Sequence, residues 1–87
     1  MINKIKIYRF ELYPNDEPTQ YWVGFSVEVD QHQPFLMDTY VAIADCADMT
    51  EEEICDVAYN NLKDAIQIRA DELGAKSPVV GVEYTPK

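Results

Sequence analysis

Residues 21 to 29, YWVGFSVEV, alternate between apolar and polar or small positions with a period of two. Tyr21, Val23, Phe25, Val27 and Val29 fall on one side, and Trp22, Gly24, Ser26 and Glu28 on the other, which predicts a half-buried strand. Residues 35 to 43, FLMDTYVAI, repeat the pattern: Phe35, Met37, Thr39, Val41 and Ile43 inward, Leu36, Asp38, Tyr40 and Ala42 outward. The DQHQP segment between them reads as a short polar hairpin connection. Residues 4 to 13, KIKIYRFELY, are also strand-like, but their inward set slips from Ile5 and Ile7 to Tyr8, Phe10 and Leu12. Such a slip predicts a β-bulge near Ile7–Tyr8. The PNDEPTQ stretch then turns the chain toward the second strand.

The period changes after residue 50. Thr50 followed by Glu53 is a capping box, and Met49 and Ile54 are spaced as a hydrophobic staple around it. Glu51, Glu52 and Glu53 lie where the helix dipole favours negative charge. Ile54, Ala58, Leu62, Ala65, Ile66, Arg69 and Leu73 then recur at helical spacing, with Gly74 as the expected stop and Pro78 beyond it. The predicted helix spans residues 51 to 73. Val80, Val82 and Tyr84 alternate with Gly81 and Glu83 as a final short strand. The order β-β-β-α-β implies an α+β two-layer sandwich: a single domain, residues 1–87, with an antiparallel sheet and one long helix packed on one face. The other face is expected to display Trp22, Glu28, Asp38 and Tyr40.

Charge changes the picture more than size does. The 87 residues carry a net charge of −9, from 16 acids and 7 bases. Between Phe10 and Leu62 there is no Lys or Arg, and that stretch holds Glu11, Asp16, Glu17, Glu28, Asp30, Asp38, Asp45, Asp48, Glu51, Glu52, Glu53 and Asp56. Direct binding to nucleic acid or to an anionic membrane needs clustered bases, so both are disfavoured. A basic protein or a nucleoprotein complex is the partner this asymmetry favours; the alternative is acidity that serves solubility alone. No apolar run reaches membrane-spanning length, MINKIKIYRF does not read as a signal peptide, and the two cysteines read as reduced thiols of a cytoplasmic protein, Cys55 as a buried one.

The residues argue against metal and catalysis. Cys46 and Cys55 are too far apart for a zinc half-site, and Ala47 and Met49 occupy what would be calcium-ligand positions counted from Asp45. His32 sits between Gln31 and Gln33 and reads as a solvated loop residue. No phosphate-binding glycine loop or nucleophile elbow is visible. The expectation is a non-enzymatic protein with no cofactor.

Capping explains Thr50 and Glu53 but not Asp45 or Asp48, and the acids of the helix start have no base at their i+3 and i+4 positions. The expected partner-binding set is therefore Trp22, Glu28, Asp30, Asp38, Tyr40, Asp45, Asp48, Glu51, Glu52 and Glu53. The acids supply charge, Glu28 and Asp30 lying two apart on one strand face at a spacing comparable to that of phosphates, and Trp22 and Tyr40 supply anchors. Cross-strand packing is the competing role for those two aromatics, and a homodimer built on them is another.

YWVGFSVEVD, followed by a further strand and then TEEEICDVAYNNLKDAI, resembles the N-terminal half of HicB-type antitoxins. The likeness covers roughly residues 5 to 84 in element order, and Tyr21, Trp22, Val23 and Thr50 to Glu53 in residue detail. It implies an antitoxin or immunity module that covers a toxin's active site. The family's Pro- and Gly-rich connector and its DNA-binding segment are missing from this sequence. In size, acidity and lack of catalytic residues the chain is also similar to small phage-encoded inhibitors, including anti-CRISPR proteins and nucleic-acid mimics. That likeness implies inhibition of a nucleic-acid-binding partner in a host cytoplasm.

Overall fold

The computed structural model describes residues 1–76 and 82–86. Three strands, β1 (Ile2–Tyr13), β2 (Gln20–Val29) and β3 (Phe35–Ala42), form an antiparallel sheet in the order β1-β2-β3. A 3-10 turn (Ile43–Asp45) leads to a single helix, α1 (Glu51–Gly74). The α+β class and the β-β-β-α order match the alternation and the period change in the sequence.

The alternating sets of β2 and β3 lie on the faces their patterns predict. Val23, Phe25, Val27 and Val29 are buried on the helix side of β2, and Val41 closes the same layer from β3. Cross-strand partners share a face, so the register places Trp22 beside Tyr40, Gly24 beside Asp38 and Ser26 beside Leu36 on the open side. On α1 the buried positions are Ile54, Cys55, Ala58, Ile66 and Ala70, with Leu62 and Leu73 packed against them. The row 54, 58, 62, 66, 70 is an i+4 ridge, inclined to the helix axis. α1 therefore lies obliquely over β3 and β2 rather than squarely over all three strands.

The capping box at the helix start forms as the sequence predicts. The Thr50 hydroxyl accepts from the Glu53 N–H at 3.2 Å, and the Glu53 carboxylate accepts from the Thr50 N–H at 3.0 Å. The Thr50 backbone N–H first, and the Thr50 hydroxyl next, hold the Glu53 carboxyl below its ordinary value of 4.5.

The bulge is also present: Ile7 pairs with Phe25, and the next pair is Arg9 with Gly24, leaving Tyr8 as the extra residue. The expected direction of Tyr8 is corrected. It does not join Phe10 and Leu12 on the helix side but lies on the open face, where its hydroxyl donates to Asp38 at 3.1 Å. The cause is Gly24. With no side chain there, the Tyr8 ring lies across the strand, and a Cβ at Gly24 would meet Tyr8 Cε1 at 2.5 Å.

Other expectations change at the ends. β3 stops at Ala42, and Ile43 opens the 3-10 turn while its N–H still donates to Thr19 O at 3.1 Å. Gly74 is the last helical residue rather than the stop; Ala75, in right-handed conformation, is the C-cap. Ala65 and Arg69 are exposed, and Ala70 is buried instead, because the i+4 ridge drifts around the helix; Cys55 is buried as expected. Of the predicted final strand, Val80 and Gly81 lie outside the described residues, and Val82, Glu83 and Tyr84 are not strand. Among the described residues the sheet has three strands.

Candidate partner-binding surface

The open face is organised around Trp22. Register places Glu11 and Tyr40 on either side of it, and Tyr13 lies diagonally across. The three aromatics form one cluster, with ring centroids 5.5 Å apart for Tyr13–Trp22, 5.3 Å for Tyr13–Tyr40 and 5.6 Å for Trp22–Tyr40. The Arg9 guanidinium covers Trp22 at 3.9 Å from its ring centroid, a cation–π contact, and donates to Glu11 at 3.0 Å. The Tyr8 hydroxyl first, then Glu11, raises the Arg9 pKa above its ordinary value.

This cluster is half-finished in hydrogen-bonding terms. The Trp22 Nε1 and Arg9 Nε atoms are buried, and neither has a hydrogen-bond partner. A buried donor left unpaired costs about 1–3 kcal/mol. Tyr13 and Tyr40 remain 40% and 43% exposed beside these donors. The arrangement is a partly exposed aromatic platform packed over two buried donors that have no hydrogen-bond partner.

The predicted acids do not form one patch. Along β2, Trp22 and Glu28 are separated by about 20 Å at 3.3 Å per residue. Glu28 lies at the hairpin end of the sheet, opposite Lys4 in the register. Asp30 has φ 50° and closes the turn there: its carboxylate accepts from the Met1 ammonium at 2.9 Å, and its carbonyl accepts from the Asn3 side chain at 2.9 Å. That role separates Asp30 from the proposed surface. Asp38 sits midway, engaged by Tyr8.

Asp45, Asp48, Glu51, Glu52 and Glu53 lie at the other end, where β3 passes into α1. Asp48 has φ 62°, a left-handed turn position that Asp tolerates better than most residues, which gives it a backbone role that charge alone did not suggest. Two more segments reach the same end: Glu11 near the end of β1, and Asp16 and Glu17 in the β1–β2 connection, closed by Thr19 N–H to Tyr13 O at 3.1 Å. With Asp56 in the second turn of α1, this pole holds Glu11, Asp16, Glu17, Asp45, Asp48, Glu51, Glu52, Glu53 and Asp56. Its nearest cation by register is Arg9, already bound to Glu11.

The opposite pole is mixed. The β2–β3 hairpin and the end of α1 form a cleft of about 230 Å³ lined by His32, Gln33, Pro34, Phe35, Arg69, Leu73 and Lys76. His32 is only 8% exposed, not the solvated loop residue its neighbours in sequence suggested, because the helix end closes over the turn. Lys4 and Lys6 approach from the start of β1.

Sequence reasoning missed Tyr13, Arg9 and Tyr8. The bulge was the available signal: placing two successive residues on one face brings Tyr8 and Arg9 together on the open side. Both cysteines are buried thiols; Cys46 Sγ donates to Ala42 O at 3.3 Å. Burial pushes both thiol pKa values up, with Asp45 adding at Cys46 and Asp56 at Cys55. Among the described residues no three His, Cys, Asp or Glu side chains converge as metal ligands, and no helix is long and apolar enough to cross a membrane. Comparison of the chain with protein-family models, with characterised proteins and with solved structures finds no match.

Proposed function

We propose that the protein is a non-enzymatic inhibitor that docks through its acidic pole and the adjoining Trp22 cluster onto a basic, nucleic-acid-binding protein in a cytoplasm. The observation that carries this reading is the juxtaposition at one end of the molecule. A base-poor cluster of carboxylates adjoins an exposed aromatic platform that holds two unpartnered donors. Unopposed charge steers a cationic partner toward that end, and desolvated aromatics supply the strength of the contact. A protein of this kind would compete with the partner's DNA or RNA, as the phage-encoded inhibitors it resembles in composition do.

A second reading has one observation in its favour: a three-stranded antiparallel sheet followed by a helix is the element order of the HicB-like resemblance. On that reading the same pole covers the active site of a small toxin. Affinity capture from a host lysate at about 0.1 M and 0.5 M salt, using the wild type and a D45K/E51K/E52K variant, separates the two. A captured nucleic-acid-binding protein that added DNA or RNA displaces, and that the triple variant fails to retain, supports inhibition by occupancy. A salt-resistant small protein retained by both would favour the toxin reading. If the triple variant captures a nucleic-acid-binding partner as well as the wild type does, the acidic pole is not the contact.

A further inference from the structure

β1 is the long free edge of the sheet: no strand pairs with its far side among the described residues. Because α1 lies over β3 and β2, the helix-side residues of β1 stay partly in water, with Ile7 54% and Leu12 43% exposed and Ile5 and Phe10 half-buried. Such an edge is a template for a further strand. We propose that its occupant is a second copy of this chain, paired antiparallel through β1 about a twofold axis between Tyr8 and Arg9.

The bulge selects that axis. In an uninterrupted strand, successive side chains alternate, so a twofold axis between two residues would set opposite faces against each other. Here Tyr8 and Arg9 both lie on the open face. An axis between them keeps every facing pair matched: Ile7 meets Phe10 and Ile5 meets Leu12 on the helix side, and Lys6 meets Glu11 and Lys4 meets Tyr13 on the open side. The extra residue also reverses which backbone groups point to the free edge, so hydrogen-bonded positions match hydrogen-bonded positions on either side of the axis. Moving the axis onto Tyr8 sets Ile7 against Arg9, and moving it onto Arg9 sets Tyr8 against Phe10.

Charge agrees with this register. Each copy contributes one Lys6–Glu11 pair, so two opposite-charge cross-strand contacts form at once. The antiparallel arrangement also lays the acidic pole of one copy beside the Lys4 and Lys6 end of the other. The proposal stands on the geometry of β1 and does not depend on the identity of any partner.

Sedimentation equilibrium at about 0.15 M salt tests it. The wild type is expected to be a dimer. K6E, which leaves the Arg9–Glu11 pair intact, and E11K each raise the dimer dissociation constant about tenfold, and the K6E/E11K double variant returns it to within about threefold of wild type. Oxidation of a mixture of K6C and E11C chains should give a mixed cross-linked dimer that neither variant forms as readily alone. A wild type that remains monomeric up to about 1 mM overturns the proposal. So does a double variant that associates no better than the single ones, or a K6C chain that cross-links to itself as readily as to E11C.

Discussion

Gly24→Ala, measured in two backgrounds, tests whether the Tyr8 ring is seated across β2. Gly24 does not have a positive φ, so its backbone accepts Ala, and replacing Gly within a strand should by itself stabilise by about 0.5–1 kcal/mol through the unfolded chain. Against that, the new Cβ would lie 2.5 Å from Tyr8 Cε1 and 2.7 Å from Cζ. The ring is the far end of a flexible side chain, so it swings aside rather than straining the sheet. What is lost is its packing over the strand and the Tyr8–Asp38 hydrogen bond, an exposed contact at 3.1 Å. Together these are worth about 1–2 kcal/mol. Wild type should therefore lose about 0.5–1 kcal/mol on G24A, a shift of about 4–8 °C in Tm or less for a domain of this size. In a Tyr8→Ala background nothing remains to be displaced, and G24A should stabilise by about 0.5–1 kcal/mol. The measurement is a double-mutant cycle by urea unfolding, followed by far-UV circular dichroism and Trp22 fluorescence. Equal stabilisation by G24A in both backgrounds would refute the seating of Tyr8.

Further outcomes follow from the same geometry. Ile66, fully buried beneath the sheet, should cost about 2–5 kcal/mol when cut to Ala, close to the whole stability expected of so small a domain, so I66A should be largely unfolded by circular dichroism at 37 °C. Thr50→Ala removes the cap and should cost about 1 kcal/mol by urea unfolding at pH 7. Glu53 has a folded-state pKa below its unfolded value, so its contribution is fully present above the ordinary carboxylate range and is lost as pH falls through the lowered folded-state pKa; T50A should flatten that acid part of the stability-versus-pH curve. Cys46 and Cys55 have raised pKa values, so the unfolded chain ionises first and stability falls as pH rises through the thiol range near 9. Disulfide-exchange labelling at pH 8 should accordingly be slow in buffer and fast in denaturant.

Much of the fold is legible in the sequence because two periods carry it. The alternation of Val23, Phe25, Val27 and Val29 and the capping box at Thr50 each specify an element locally, and the structure places both as expected. The slip from Ile7 to Phe10 is legible too, since a bulge is the one local device that reverses alternation within a strand. The direction of Tyr8 was not, because it depends on an absent side chain at Gly24 on the neighbouring strand. His32 misled for a similar reason: its neighbours Gln31 and Gln33 are polar, but the cover over it comes from α1, some forty residues on.

The candidate site was legible as composition but not as place. Residues 10 to 62 lack bases, yet the chain doubles back three times within that stretch, so sequence proximity and spatial proximity part company. Antiparallel pairing carries Glu28 and Asp30 to the hairpin end and gives them Lys4 and the Met1 ammonium as neighbours. The same pairing brings Glu11, Asp16 and Glu17 to the end where β3 turns into α1. Helix polarity then decides the rest. α1 starts with Glu51, Glu52 and Glu53 where the strands deliver Asp45 and Asp48, and it finishes with Arg69 and Lys76 against the hairpin. An acid run in sequence has become one unmixed pole and one mixed pole, about 30 Å apart along β2. A surface serving solubility alone would gain nothing from that segregation, since interspersed charge of the same net value serves equally well. Segregated charge has a direction, and on the proposed function that direction would steer the acidic end toward a cationic partner.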